Sequence, residues 1–276
     1  MPEGHVTHRL ARTLTADFGG RPVRVSSPQG RFADAAVLLD GTVLEGAEAV
    51  GKHLFVRFEG DRIVWIHLGL IGKLQIGPDD VPVSPETLRL RIAAGGVRAD
   101  LRGPQWCRLI TSAEMDAVLA ASGPDPLRAD ADAERAWAKV HRSKKAIGAL
   151  MMDQSIFAGV GNIYRAELLF RHRIYPEVPG QHIARDTFDS LWADLVELMP
   201  LGVRDARIDT VEEPHTPEAT GRAPRVDRHG GEVYVYRRAG DPCLVCGTPV
   251  ARAAFHGRNL YWCPACQPEG SRGGPR

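Results

Sequence analysis

The sequence predicts an α+β chain: a leading helix, an antiparallel β-sandwich, a helical second domain and a C-terminal β-hairpin carrying paired cysteines. Three observations predict it. Apolar residues recur about every fourth position near the start, short β-type runs follow at close spacing, and helical periodicity returns from about Ala131.

The leading helix runs from Val6 through Leu10, Leu14 and Phe18, with Ala11 beside them, and stops at Gly19-Gly20. Strands follow at Val23 and Val25, at Val50 to Phe58 and, after the Glu59-Gly60-Asp61 turn, at Ile63 to Leu68. Further short strands are expected at Leu88 to Ala93, Val97 to Leu101 and Arg108 to Thr111, with Pro78 to Pro85 as a surface loop. Gly123-Pro124-Asp125-Pro126 is a strong breaker and marks the domain boundary. Beyond it the helical pattern continues to about Met199, interrupted at Phe157 to Gly161 and at Tyr175-Pro176. Leu201 to Gly231 lacks periodicity and reads as a long, partly mobile loop, and the Gly-rich end reads as structureless. The expected organisation is therefore 1–122, a β-sandwich; 123–236, helical; 237–268, the cysteine hairpin; and 269–276, a disordered tail.

Of the chain, 43% is hydrophobic, ordinary for a globular protein, and no run approaches the ~18 consecutive apolar residues of a membrane helix. The N-terminus lacks the basic and apolar blocks of a signal peptide, so a cytosolic protein with no membrane association is expected. The net charge of +1 gives no argument for nucleic acid, but cations gather locally. Lys139, Arg142, Lys144, Lys145, Arg165 and Arg171 face only Asp153 and Glu167, and from Arg222 onward arginines again outnumber acids.

Cys243-x-x-Cys246 and Cys263-x-x-Cys266, separated by 16 residues, can place four thiolates around one zinc ion. Four thiolates leave no open coordination position, so such a zinc is structural. It holds the adjoining Arg258-Asn259-Leu260-Tyr261-Trp262 segment, and with it an arginine fork suited to phosphate. Cys107, between Trp106 and Leu109-Ile110, reads as a buried thiol.

A second motif runs from Asp153 through Gly159, Gly161 and Asn162 to Phe170. Its glycines make tight turns and Asn162 stands at the expected N-cap of the next helix, where free backbone N–H groups can meet an anion. A third signal is Met1-Pro2-Glu3-Gly4. Removal of Met1 exposes a secondary amine beside Glu3 at a helix start. An α-amino group has a pKa near ~8, and the positive helix end disfavours its protonated form, as an iminium-forming nucleophile requires.

Taken together, Pro2-Glu3-Gly4, Gly51-Lys52, His67-Leu68-Gly69-Leu70-Ile71-Gly72, Gly123 to Leu127, Gly161 to Tyr164 and the four cysteines resemble the formamidopyrimidine-DNA glycosylase and endonuclease VIII family, in its order, to about Gln267. Pro-Glu-Gly and Arg-Asn-Leu-Tyr-Trp-Cys resemble the endonuclease VIII branch more closely, especially its actinobacterial members. The resemblance implies a helix-two-turn-helix second domain and a monomeric bifunctional glycosylase/lyase of base-excision repair, acting on damaged DNA in duplex, bubble or single-stranded form. It implies that Pro2 attacks C1′ and forms an iminium, with strand nicking by β,δ-elimination. Glu3 is the implied acid/base, Lys52 a phosphate contact that assists the chemistry, and Asn162 and Arg258 the grips on phosphates flanking the extruded nucleotide. Glu167 matches a family acid, with a supporting role as the alternative. The family's hole-filling Met, Arg and Phe are replaced: Leu70 stands at the first position, and Asp100 to Cys107 lacks the Arg-Phe pair. Leu70 is then an apolar wedge and Arg102 faces the orphaned base, with ordinary sheet positions as the alternative for both. Oxidised pyrimidines are the expected substrates. The alternatives are an enzyme of the same family directed at 8-oxoguanine and formamidopyrimidine, and a DNA-damage-binding protein without chemistry.

Overall fold

A helix at Gly4–Phe18 (α1) opens the computed structural model, which describes residues 2–80, 82, 84–227 and 231–274. The chain divides into two units, one ending at Ala121 and one beginning at Ser122. In the first, α1 is followed by β1 (Arg21–Pro22), β2 (Arg24–Ser26), α2 (Ala33–Leu39), β3 (Val43–Val50), β4 (His53–Phe58) and β5 (Arg62–His67). Then come β6 (Lys73–Pro78), β7 (Leu88–Ala94), β8 (Val97–Arg102), β9 (Trp106–Ile110) and α3 (Ser112–Ala121). The strands make two antiparallel sheets, ordered β1-β3-β4-β5-β9 and β2-β7-β8-β6.

The core of this unit gathers Leu14 and Phe18 of α1, Leu54, Val56, Val64 and Ile66 of one sheet, and Leu90, Ile92, Ala99 and Leu101 of the other. The opposite face of the first sheet buries Phe55, Ile63 and Ile110 against Met115 of α3. Strands β4 and β5 are thus covered on both faces, which is why their sequences are nearly continuous apolar runs rather than alternating ones. Burying one such Phe or Ile side chain contributes about 1.5–3 kcal/mol. Four elements lay outside the sequence expectation. Strand β3 carries Glu45, Gly46 and Glu48, β6 is an edge strand ending in Pro78, α2 buries only Ala36 and Leu39, and α3 only Met115. None of them shows the periodicity of a long buried face.

The second unit holds α4 (Ala133–Val140), α5 (Ile147–Leu150), α6 (Asn162–Arg171), α7 (Arg185–Asp205), α8 (Pro217–Thr220), β10 (Ala251–Phe255) and β11 (Arg258–Trp262). The Asp132 side chain caps α4 by accepting from the Glu134 N–H. Helix α6 is the centre of the unit, with every residue from Asn162 to Phe170 buried. Its end is tied to α7 by an ion network in which Asp194 accepts from Arg171 through both carboxylate oxygens, at 2.7 and 2.9 Å, and lies 3.0 Å from His172 Nε2.

Helix α7 continues past Met199 to Asp205 with Pro200 inside it. Proline removes the bond to the carbonyl of Val196, a residue on the exposed side of the helix, where water can replace it. The loop expected from Leu201 therefore starts later. Its described part is pinned at Glu232, which accepts from Arg222 at 2.6 Å and from the Arg225 N–H at 2.6 Å. Residues 228–230 of that loop lie outside the described residues. Nor is the chain end structureless from 269. The Tyr175 N–H donates to Ser271 O at 2.9 Å and Arg272 bridges Ile174, while 275–276 lie outside the described residues. Backbone pairing of this kind is invisible to composition. Among the described residues no helix is long and apolar enough to cross a membrane.

Candidate functional site

In the first unit the start of α1 and the β3–β4 turn are fastened to each other. Val50 pairs with His53, leaving Gly51-Lys52 as a two-residue hairpin turn. Gly51 has φ +57°, while Lys52 stays outside the left-handed region, the pattern of a type II′ turn with glycine first. The Thr7 hydroxyl lies 2.9 Å from Gly4 O and 2.6 Å from Gly51 O. One buried side chain thereby brings the neighbour of Glu3 and the neighbour of Lys52 within reach of a single oxygen. Glu3 is buried at 1% exposure, at the N-cap position of α1, with extended backbone and no side-chain capping bond. Its carboxylate is thus placed at the positive end of the helix without serving as the cap. Pro2 is half-buried beside it. Thr7 has no signal in the sequence beyond its spacing from Gly4.

Histidines surround this corner and are held neutral. Burial, with the charged N-terminus second, lowers His5 to about 4. Burial lowers His53 to about 4 as well, helped by His67 and by Lys52. His67 is lowered by burial and by Lys52, against a hydrogen bond that its ring donates to Gln105, which raises it. His53 Nδ1 accepts from Trp65 Nε1 at 3.1 Å, and His67 stacks on Trp106 with ring centroids 4.4 Å apart. Neutral rings add no charge beside an amine that has to lose its proton. They also make stability depend on pH with a definite sign. The unfolded imidazoles bind protons below 6.5, whereas the folded His5 and His53 refuse them until about 4, so stability is full above 6.5 and falls as pH drops through that window. The urea midpoint is expected to decline between those two values, and the decline should be shallower in His53→Gln. A midpoint independent of pH across the window in the unaltered chain contradicts buried neutral histidines.

Strand β5 ends in a turn closed by the Gly72 N–H donating to Leu68 O at 3.1 Å. A side chain at Gly72 would sit 2.2 Å from that carbonyl, so the turn requires glycine. At its tip Leu70 is 58% and Ile71 79% exposed, an apolar point of two residues where the sequence reading singled out one. Arg102 is placed differently. Its Nη1 donates to Ser84 O at 2.9 Å and Thr87 Oγ1 at 2.8 Å, and its Nη2 lies 3.7 Å from Asp100. The side chain is engaged by Asp100 of β8 and by the 84–87 segment of its own unit.

In the second unit Asn162 is the first residue of α6 and Gly161, in extended conformation, is the N-cap. The expected capping role of Asn162 thus passes to glycine. Its side chain instead donates from Nδ2 to Asn259 O at 3.0 Å, joining α6 to β11. Strands β10 and β11 pair Phe255 with Arg258 around a His256-Gly257 turn in which both residues have positive φ, placing Arg258 at the hairpin tip. The hairpin leads into the cysteine cluster. The sulfurs of Cys243, Cys246, Cys263 and Cys266 all lie within 4.8 Å of one another. A tetrahedral zinc with bonds of about 2.3 Å sets its sulfurs about 3.8 Å apart, and the closest pairs here are 3.5 and 3.9 Å. The four cysteines fit one structural zinc.

Glu167 is wholly buried and accepts from Thr210 Oγ1 at 2.6 Å and from the N–H groups of Tyr234, Val235 and Tyr236 at 2.6, 2.9 and 2.8 Å. Three of its four bonds serve the 234–236 backbone and the fourth holds Thr210, which makes it a support for that segment.

The Formamidopyrimidine-DNA glycosylase N-terminal domain matches residues 1–105, the Formamidopyrimidine-DNA glycosylase H2TH domain 122–212, and a zinc finger found in FPG and IleRS 240–268. Endonuclease 8 1 of Mycobacterium tuberculosis is 48% identical over 97% of this chain and 100% of its own length. Formamidopyrimidine-DNA glycosylase of Nocardioides sp. is 33% identical over 90% of this chain and 84% of its own. Among solved structures, Lactococcus lactis Fpg in complex with abasic-site DNA has a TM-score of 0.80 at 21% identity, covering 97% of this chain and all of that one.

Proposed function

The chain belongs to the formamidopyrimidine-DNA glycosylase and endonuclease VIII family and is a DNA glycosylase/AP lyase of base-excision repair; on that premise we propose that Pro2, Glu3 and Lys52 perform the chemistry and that Asn162 and Arg258 hold the phosphates of the damaged strand. The observation that supports the catalytic part is the Thr7 hydroxyl, within hydrogen-bond reach of both Gly4 O and Gly51 O, which ties the backbone beside Glu3 to the backbone beside Lys52. In the mature chain the nitrogen of Pro2 attacks C1′ of the damaged nucleotide and the base departs. Glu3 delivers a proton to the sugar ring oxygen, the ring opens and the C1′–nitrogen bond becomes an iminium. Loss of a C2′ proton forms a C2′=C3′ double bond as the C3′–O bond breaks and the 3′ phosphate leaves, and loss of a C4′ proton then releases the 5′ phosphate, which nicks the strand. Lys52 stabilises the phosphate beside the reacting sugar. Cys243, Cys246, Cys263 and Cys266 would hold a zinc that supplies structure rather than chemistry, with Arg258 at the tip of the hairpin leading into them. The protein acts as a monomer in the bacterial cytosol.

For the lesion, oxidised pyrimidines such as thymine glycol and 5-hydroxyuracil are favoured over 8-oxoguanine opposite cytosine. The Asp100 to Cys107 segment lacks an Arg-Phe pair, and the groups near it that can enter a base stack are the apolar Leu70 and Ile71. A poorly stacked, ring-saturated pyrimidine costs less to extrude than a purine paired with cytosine. Single-turnover excision is expected to be roughly tenfold faster on the pyrimidine lesions, a difference of about 1.4 kcal/mol in barrier. Faster excision of 8-oxoguanine from matched duplexes would instead establish the purine-directed reading and leave the nucleophile untouched.

A further inference from the structure

We infer that Arg165 is a positioning residue, whose buried guanidinium fixes the Asn162 side-chain amide in the one orientation that offers an N–H to a DNA phosphate. The inference rests on the assignment of Asn162 to phosphate binding. Arg165 lies one turn after Asn162 on α6 and is 1% exposed, too deep to meet a phosphate itself. Its Nη2 donates to Asn162 Oδ1 and, at 3.1 Å, to Asn259 O. Its Nη1 reaches Gly148 O at 3.5 Å, and the guanidinium carbon sits 5.7 Å from the Phe255 ring centroid.

A guanidinium has donors only, so the amide atom facing it is the oxygen. The other end of the amide obeys the same logic, because Nδ2 faces a carbonyl, Asn259 O, at 3.0 Å. Turning the amide over would set an NH2 group against the guanidinium and an oxygen against a carbonyl, breaking both contacts. With the orientation locked, one Nδ2 proton serves Asn259 and the second is left for a phosphate at the N-terminus of α6. A phosphate offers acceptors only, so the flipped amide would repel it. Because Asn259 adjoins Arg258, the same guanidinium also sets the start of β11. Lysine keeps the charge but has no planar fork with which to hold two acceptors.

The experiment is a double-mutant cycle on the full, zinc-loaded chain. It uses Asn162→Ala, Arg165→Lys, Arg165→Leu and the paired variants, with affinity for a duplex containing a tetrahydrofuran abasic analogue measured across a salt series. Loss of the oriented hydrogen bond is expected to weaken binding roughly tenfold in Arg165→Lys and Arg165→Leu, close to the loss in Asn162→Ala. The paired variants should bind no worse than Asn162→Ala. In Arg165→Lys and Arg165→Leu the zinc content and the salt slope are expected to be unchanged while affinity falls, a combination that a general loss of folding does not produce. Arg165→Lys carries the test if Arg165→Leu fails to fold. Additive losses, wild-type affinity in Arg165→Lys, or a salt slope reduced by about 0.9, the mark of a lost direct phosphate contact, overturn the inference. If Asn162→Ala binds normally, the assignment of Asn162 falls and the inference with it. If only the Arg165 variants bind normally, that assignment stands and the inference alone fails.

Discussion

A chain that keeps Met1, or whose Pro2 nitrogen is acetylated, is expected to form no borohydride-trapped adduct with abasic-site DNA and to lose strand nicking by roughly a thousandfold or more. The size of the effect follows from chemistry. An amide nitrogen has no basic lone pair to attack C1′ and cannot become an iminium, so no remaining group supplies the step. The mature terminus has three features that favour attack. Its amine has an ordinary pKa near ~8, the positive end of α1 disfavours protonation, and the adjacent His5 is held neutral by burial and adds no competing proton at neutral pH. Peptide mapping of the reduced adduct should find the DNA remnant on the Pro2 nitrogen. An undiminished adduct in the Met1-retaining chain, or an adduct mapped to Lys52, would move the nucleophile elsewhere and reduce the corner at Thr7 to a structural joint.

The leading helix, β4, β5, β7, β8 and the four cysteines were legible because each combines a strong local signal with a single burial pattern. Val25, Ile92 and Leu101 alternate or cluster as strands do, and two Cys-x-x-Cys pairs admit few other readings. The catalytic residues were legible differently. Pro2 and Lys52 carry no individual signal, and they became readable through resemblance to a family whose motifs occur in the same order. What escaped is long-range. Thr7 matters because it touches Gly51, and Arg165 because it touches Asn259, 44 and 94 positions away. Neither pairing leaves a trace in periodicity. Asn162 was placed at the N-cap by residue preference, but Gly161 takes the extended conformation and frees the asparagine to reach β11. Leu70 and Ile71 are both exposed because Gly69 and Gly72 fold the turn so that both point outward. The disorder expected from composition at 269–274 is overridden by backbone bonds to Ile174 and Tyr175.

Replacing Cys263 with serine is expected to release the zinc and to lower affinity for abasic-analogue DNA by on the order of a hundredfold, the sum of two or more charge-assisted or oriented hydrogen bonds to phosphate. Cys263 is fully buried and directly follows β11, so its sulfur is the ligand closest in sequence to the hairpin that carries Arg258 and Asn259. With the metal gone, the two-stranded sheet β10–β11 has little to hold it, since an isolated hairpin is marginal in water. Loss of the hairpin then withdraws Asn259 O from both Asn162 and Arg165, so damage spreads from the finger to the N-terminus of α6. It should stop short of the first unit, whose cores contain no residue beyond Leu119. Arg258→Ala separates the grip from the scaffold: zinc is retained and affinity falls about tenfold, the loss of one charge-assisted contact. Metal analysis, DNA titration and amide spectra of residues in the β-sandwich distinguish these outcomes. Full affinity in a zinc-free Cys263→Ser protein would show that the finger does not hold the grip, and an intact finger with unchanged affinity in Arg258→Ala would show that the arginine belongs to the scaffold. Spectral collapse of the sandwich in Cys263→Ser would mean that the metal stabilises more of the chain than the hairpin it closes.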